Sequence, residues 1–162
     1  MELRDATEAD ASAIASIYNH YVLTTTISFE EAPASAADFI ERMNTVHKAR
    51  LPWLVALVDG EVAAYAYATP WRVRSAYRFS VESSVYVARD KPRLGLGRAL
   101  YQLLIGRLRE SGAHLVIGGI ALPNDASVAL HESLKFEKVA HFSEVGRKFD
   151  RWIDVGYWQL RL

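Results

Sequence analysis

Val85-Tyr86-Val87-Ala88-Arg89-Asp90-Lys91-Pro92-Arg93-Leu94-Gly95-Leu96-Gly97-Arg98-Ala99-Leu100 joins an alternating β-branched run to a leucine-striped one through a turn with two glycines. A chain that enters such a turn as strand and leaves it as helix presents free N–H groups at the positive end of the helix dipole. Glycine there lets a ligand come close to the backbone. The stretch therefore reads as a cradle for a pyrophosphate that needs no metal. Two other nucleotide motifs fit poorly. Leu100 stands where a dinucleotide-binding fingerprint beginning at Gly95 wants glycine or alanine, and no acidic residue ends a second strand about twenty residues on. No G-x-x-x-x-G-K-[ST] occurs. A turn that uses glycine for geometry alone is the structural alternative.

Upstream of the turn, Phe79, Val81, Ser83, Val85 and Val87 alternate with Ser80, Glu82, Ser84 and Tyr86, so Glu82 and Tyr86 share a face of one strand. Downstream, Leu100, Leu103, Leu104 and Leu108 stripe a helix over 97–111, with Gly112 just past its end, and 114–121 reads as strand. Asn124 caps a short helix ending near Leu134, and strands over 139–145 and 153–160 complete the chain. At the other end, 3–6 is a short strand. Thr7 and Asp10 open a helix over 7–21, and Ser35 and Asp38 open a second one, with an exposed loop between them. Asp59-Gly60 separates strands 53–58 and 61–68 as a hairpin, and Pro70 closes it. The order of elements predicts an α/β domain with helices on the faces of its sheet.

The chain has 162 residues, which suits one domain over 1–162, and its 19 Lys and Arg balance 19 Asp and Glu. That balance lacks the basic footprint of a nucleic-acid binder. The absence of cysteine removes a thiolate metal site and a cysteine nucleophile, and the histidines His20, His47, His114 and His141 lack metal-ligand spacing, so no metal is expected. The charged start and the lack of a long apolar run predict a cytoplasmic protein with no membrane partner.

The strand Val85-Tyr86-Val87, the turn Gly95 to Leu100 and the run Asn124 to Phe136 resemble the acetyl-CoA-binding core of GNAT acetyltransferases. Ile17-Tyr18-Asn19, Ser28-Phe29-Glu30, Ala76-Tyr77-Arg78, Val81 to Val87, Leu130-His131-Glu132 and Glu144 to Phe149 resemble the phosphinothricin N-acetyltransferase-like branch in particular, in order along nearly the whole chain. The resemblance implies the GNAT fold, a splayed, mostly antiparallel mixed sheet flanked by helices. Coenzyme A would enter a gap between parallel strands near 80–88 and 113–121. It further implies that the backbone of Val85, Tyr86 and Val87 meets the pantetheine arm and that the turn Arg93, Leu94, Gly95, Leu96, Gly97 and Arg98 holds the pyrophosphate. Asn124, Ser127 and Ser133 would lie on the coenzyme's other side. Two positions depart from the family pattern: Pro92-Arg93 replaces its Arg or Gln followed by Gly, and Lys135 replaces the Gly of its Leu-Gly-Phe.

Amide formation from a thioester needs a neutral amine and a proton for the leaving sulfur. Glu82, a carboxylate inside an apolar strand, is the candidate base, with an ion pair to Arg78 as its structural alternative. His131 stands where the resemblance places a tyrosine acid, and Tyr86 is a competing donor. Arg72, Arg74 and Arg78 precede the strand and suit an anionic group of the acceptor. In an extended segment Arg72 and Arg74 would point the same way. Phe29, Glu30, Tyr77 and Lys148 join them from the resemblance. The expected function is transfer of acetyl to the amine of a small amino-acid-like substrate, in a homodimer as is common in this branch. A peptide N-terminal acetyltransferase and a non-catalytic acyl-CoA-binding module are the alternatives.

Overall fold

The computed structural model describes residues Met1 to Leu162. In chain order the elements are β1 (Glu2–Asp5), α1 (Ala11–Thr24), α2 (Ala36–Lys48), β2 (Trp53–Val58), β3 (Glu61–Pro70), β4 (Ser80–Val87), α3 (Leu96–Glu110), β5 (Leu115–Ala121), α4 (Asp125–Ser133), β6 (Glu137–Lys148) and β7 (Arg151–Arg161). Short 3-10 turns lie at Glu8–Asp10 and Ser75–Tyr77. The strands form one seven-stranded sheet in the order β1-β2-β3-β4-β5-β7-β6. Every neighbouring pair is antiparallel except β4 and β5. This is the α/β, mostly antiparallel mixed sheet that the sequence predicts.

The parallel pairing covers only Ser80 with Leu115, Val81 with Val116 and Glu82 with Ile117. Both strands then continue, to Val87 and Ala121, without pairing with each other. The sheet therefore splits beyond Glu82 into a V-shaped gap, and the unpaired polar backbone on its walls must find other partners.

Alternation along the strands sends side chains to two different layers. Val81, Val116, Ile120 and Trp158 pack with Leu100, Leu104 and Leu108 of α3. On the other face Trp53, Val55 and Tyr65 pack with Ile14 and Tyr18 of α1 and Phe39 and Met43 of α2. Burial of each such large side chain contributes roughly 1.5–3 kcal/mol. The helices α1 and α2 pack on β2, β3 and β4. Ile117 and Tyr157, on the β5 and β7 part of that same face, belong to neither apolar cluster.

Local chemistry explains most boundaries. At α2, the Ser35 hydroxyl accepts from the Asp38 N–H at 3.1 Å and the Asp38 carboxylate accepts from the Ser35 N–H at 2.7 Å. Asp59 and Gly60 both take positive φ, 52° and 82°, as a tight hairpin turn requires. Elsewhere the structure departs from expectation. The first helix opens with a 3-10 turn, because Asp10 holds both the Thr7 N–H and the Arg4 guanidinium, and it runs on to Thr24. The loop between α1 and α2 is only partly exposed: Ser28 and Ala34 are buried. The last two strands reach into 146–152, turning at Phe149 and Asp150 with φ of 51° and 57°, a hairpin turn without the usual glycine. Residues 71–78 bend through the 3-10 turn, so Arg72 and Arg74 are not successive residues of one extended face. No helix is long and apolar enough to cross a membrane.

Candidate active site

The β4 wall of the gap is set by backbone alternation. Ala88 N–H bonds the Ala63 carbonyl and Trp71 N–H bonds the Ser80 carbonyl, so even-numbered residues of β4 turn their polar backbone toward β3. Odd-numbered ones, Val85 and Val87 among them, turn theirs toward the gap. One of these groups is already engaged, since the Tyr21 hydroxyl donates to the Val87 carbonyl at 2.6 Å. Both polar groups of Val85 and the Val87 N–H remain for a ligand.

The gap opens toward the start of α3. Gly95 stands at φ +72° before the helix, whose first backbone bond is Ala99 N–H to the Gly95 carbonyl at 3.0 Å. The N–H groups of Leu96, Gly97 and Arg98 thus lack helical partners and point outward at the positive end of the dipole. A side chain at Gly97 would meet Leu130, Val85 and Val87 at 3.4 to 3.8 Å, so its bareness packs the helix start against β4 and α4. The Arg98 guanidinium donates to the Ser133 hydroxyl at 2.8 Å, which donates to the Leu130 carbonyl. Both departures from the family pattern adopt glycine's backbone: Arg93 has φ +61° and Lys135 has φ +72°. At Lys135 the N–H groups of Lys135 and Phe136 return to the Glu132 and His131 carbonyls, the bonds of a Schellman cap. Each non-glycine residue in this region costs about 1–2 kcal/mol.

The far wall consists of Gly119, Ile120, Ala121, Asn124, Ser127 and His131, and the cavity also touches Ser83, Ser84, Val85, Tyr86 and Tyr101. The Asn124 side chain accepts from the Ser127 N–H at 3.2 Å, capping α4 as predicted. His131 is buried, and its Nδ1 lies 2.7 Å from the Ser127 carbonyl, which can only accept. Nδ1 therefore carries the proton, and Nε2 accepts from the Tyr101 hydroxyl at 3.2 Å. Tyr101 in turn accepts from the Ser83 hydroxyl at 3.2 Å. Burial pushes the His131 imidazole below its usual range and the Tyr101 phenol above its own, so both are neutral near pH 7. Space for this ring exists because Gly118 is bare: a Cβ there would lie 2.5 Å from His131 Nε2.

Glu82 sits at the apex of the gap. Burial raises its carboxyl above the usual carboxylate range, and nearby Arg72 partly restores it. No hydrogen-bonded or ion-paired partner satisfies it within the protein, and Arg78 instead bonds the Ser75 carbonyl and lies over Phe79. A Cβ on Gly119 would lie 3.4 Å from Glu82 Oε1 and 3.0 Å from the Tyr157 ring. Tyr86 shares the face of Glu82, as the alternation predicts, and packs among Tyr18, Tyr21 and Tyr65. Burial holds its phenol well above the usual range.

The remaining candidates divide between the gap and its frame. Arg72 reaches the electrostatic environment of Glu82, whereas Arg74 and Tyr77 lie exposed in the bend. Glu30 is held by both nitrogens of Arg42 at 2.7 and 3.0 Å and by the Tyr18 hydroxyl. Lys148, 2% exposed, donates to the Ser28 carbonyl at 2.6 Å, and Phe29 covers Gly146, so these two contacts dock the α1–α2 loop onto the last hairpin. Sequence reasoning missed Tyr21, Arg42, Tyr101, Gly119 and Tyr157. A tyrosine beside the leucine stripe of α3 was the one readable signal, because a buried phenol requires a partner.

The acetyltransferase (GNAT) domain profile matches residues 3–156. The phosphinothricin N-acetyltransferase of Streptomyces viridochromogenes is 43% identical over 98% of this chain and 86% of its own. The L-amino acid N-acyltransferase of Escherichia coli is 41% identical over 100% of this chain and 94% of its own. Among solved structures, a ribosomal-protein-alanine N-acetyltransferase from Brucella melitensis superposes with a TM-score of 0.98 at 38% identity, covering 100% of both chains. A phosphinothricin acetyltransferase from Sinorhizobium meliloti, solved in complex with acetyl-CoA, gives 0.96 at 38% identity, covering 99% of this chain and 88% of its own. With the split β4–β5 pair, the glycine turn and these full-length likenesses together, the chain belongs to the GNAT acetyltransferases.

Proposed function

We propose that the chain, acting as one domain over 1–162, transfers acetyl from acetyl-CoA to the amine of a small amino-acid-like acceptor. The observation that carries this reading is the parallel pair that stops at Glu82, leaving a half-buried, unpaired carboxylate at the apex of a gap whose mouth is a glycine-turned helix start. The residues present suit the coenzyme: free backbone of Val85 and Val87 along one wall, unpartnered N–H groups at Leu96 to Arg98, and Arg93 and Lys91 as nearby cations. Acetyl-CoA supplies an activated carbonyl when bound. Glu82 takes the proton of the acceptor's ammonium, and its raised pKa makes it a better base than an exposed carboxylate. The Tyr101 hydroxyl, which lines the gap, gives the departing sulfur its proton and is reprotonated from solvent, and His131 Nε2, which accepts from that hydroxyl, holds it in place. Arg72 faces the acceptor's carboxylate. Arg74, Tyr77 and Arg78 edge the entry, and Glu30, Phe29 and Lys148 frame it.

The names of the Streptomyces viridochromogenes and Escherichia coli relatives support an amino-acid acceptor, and that of the Brucella melitensis structure supports a protein N-terminus. Thiol release from acetyl-CoA, measured with free amino acids against alanine-started peptides, separates the two. Turnover confined to the peptides, or coenzyme binding without release, contradicts the reading. A homodimer in the cytoplasm accompanies it, supported by the exposed Val145, Phe149 and Trp152 on the last hairpin. Sedimentation of the protein as a monomer at micromolar concentration contradicts that part.

A further inference from the structure

On the face of the sheet that bears Glu82, α1 and α2 cover β2 to β4 and stop. Register extends the face past them. Glu82 pairs with Ile117, Ile117 with Gln159 and Gly119 with Tyr157, so all five residues point to the same side. Over Ile117, Tyr157 and Gln159, beside Glu82 and Gly119, lies a cavity of about 190 Å³ walled also by Trp71 and Phe142, with Arg72 and Gln159 as its polar members. The Tyr157 ring meets Trp71 and Phe142 edge-on, each at 5.7 Å, which leaves aromatic surface on three sides. The Arg72 guanidinium lies 4.8 Å from the Trp71 ring centre and so belongs to the same rim.

Gly119 sets how close the Tyr157 ring lies to Glu82. It lines the coenzyme gap, and the space where its side chain would stand is bounded by Glu82 Oε1 and the Tyr157 ring. The Tyr157 ring closes over Gly119, so the way from Glu82 to the aromatic cavity runs past Ile117, which pairs with Glu82 and lines the cavity, and along Arg72, which lines it too. A dry apolar cavity of ~150 Å³ is enough to hold benzene. We infer that this cavity receives the acceptor's side chain, and that Gly119 and Tyr157 make the protein selective for amino acids with an apolar, benzene-sized side chain, the amine at Glu82 and the carboxylate at Arg72. The inference rests on the acetyltransferase reading above and narrows it. Phenylalanine fits the cavity, alanine leaves it empty, and methionine sulfoximine carries a polar group into aromatic walls that offer it little.

The test is kcat/KM for alanine, methionine sulfoximine and phenylalanine, followed by CoA thiol release, in the wild type and in Ala140→Trp and Gly119→Ala. Ala140 lines the cavity on the side away from Glu82, so a tryptophan there fills it without entering the coenzyme gap. In the wild type phenylalanine should exceed alanine about tenfold or more, the discrimination an apolar pocket supplies. Ala140→Trp should reduce the phenylalanine-to-alanine ratio about tenfold while acetyl-CoA affinity, measured by titration, stays within twofold. Gly119→Ala, whose Cβ would press the Tyr157 ring at 3.0 Å and displace it against the cavity, should lower the same ratio. Release that ignores side-chain size, or a ratio unmoved in both variants, overturns this inference alone. No release with any amino acid overturns it together with the acceptor reading on which it rests.

Discussion

The proposed coenzyme cradle and the proposed acceptor side of the same gap are built on opposite principles. The cradle is backbone: a turn at Gly95, the N–H groups that open α3, and the unpaired edge of β4, all within one continuous stretch. The acceptor side is side chains, with Glu82 from β4, Arg72 from the bend after β3, Gly119 from β5, and Tyr157 and Phe142 from the final hairpin. A backbone site tolerates changes of side chain that preserve φ and ψ, which is how Arg93 and Lys135 can stand in glycine's conformation. A site of side chains depends on each group separately.

The largest expected effect is on the acceptor side. Glu82→Gln should lower kcat by about 10²–10⁴-fold, the usual worth of a general base, with acetyl-CoA affinity unchanged. The same substitution should raise Tm at pH 7. Because the folded-state pKa of Glu82 lies above its ordinary 4.5, its favourable contribution is present below that value and is lost as pH rises through the folded pKa. Thermal melts should therefore show the variant's advantage at pH 7 disappearing below pH 4.5. A variant that is inactive and no more stable at pH 7 would separate the two claims.

Arg72→Ala comes next. Loss of a charge-assisted contact with a carboxylate costs about 1.5–3 kcal/mol, or roughly tenfold to a hundredfold in kcat/KM. The loss should vanish when the acceptor's carboxylate is replaced by its amide. Unchanged preference for the free acid would move carboxylate recognition to Arg74 or Arg78. On the cradle side, Gly95→Val forces a β-branched residue to φ +72° and should weaken acetyl-CoA binding by about tenfold, from strain of at least 1–2 kcal/mol. Nothing lies within 4 Å of the added Cβ, so a loss there reports conformation and not collision. Calorimetric titration measures it.

The smallest effect tests the idea that backbone shape is what the cradle side preserves. Lys135→Gly relieves about 1–2 kcal/mol of left-handed strain and restores roughly 0.5–1 kcal/mol of chain entropy to the unfolded state, for a net gain of about 0.5–1 kcal/mol. Chemical denaturation should show that gain with no change in kcat. A destabilised Lys135→Gly would mean that the lysine side chain holds something the Schellman cap does not explain.

The same contrast decides how much the sequence revealed. The β4 strand, its turn, α3 and the Asn124 cap follow from local rules: period-two alternation, glycine between strand and helix, a leucine stripe, and a side chain capping three residues on. Glu82 was legible as a charge in an apolar strand. The Tyr101–His131 bond spans 30 residues and two helices, and Tyr21 reaches Val87 across 66, distances over which no periodicity carries information. Glu30 read as a pocket residue, but Arg42, twelve residues on, neutralises it. The last hairpin was underestimated because Phe149-Asp150 takes positive φ at both positions without glycine or asparagine to announce it. Gly119 was unreadable for a different reason, since a missing side chain acquires meaning only when Glu82 and Tyr157 stand on either side of it.

The central claim is that Glu82, at the point where the sheet splits, is the base for the acceptor amine. Its most direct test is the pH dependence of kcat for wild type and Glu82→Gln with acetyl-CoA and a free amino acid, between pH 6 and pH 10. The account predicts that the variant's deficit is greatest at low pH, where the amine is protonated, and closes as pH approaches the pKa of the free amine. Parallel profiles separated by a constant factor, or equal rates throughout, would contradict it.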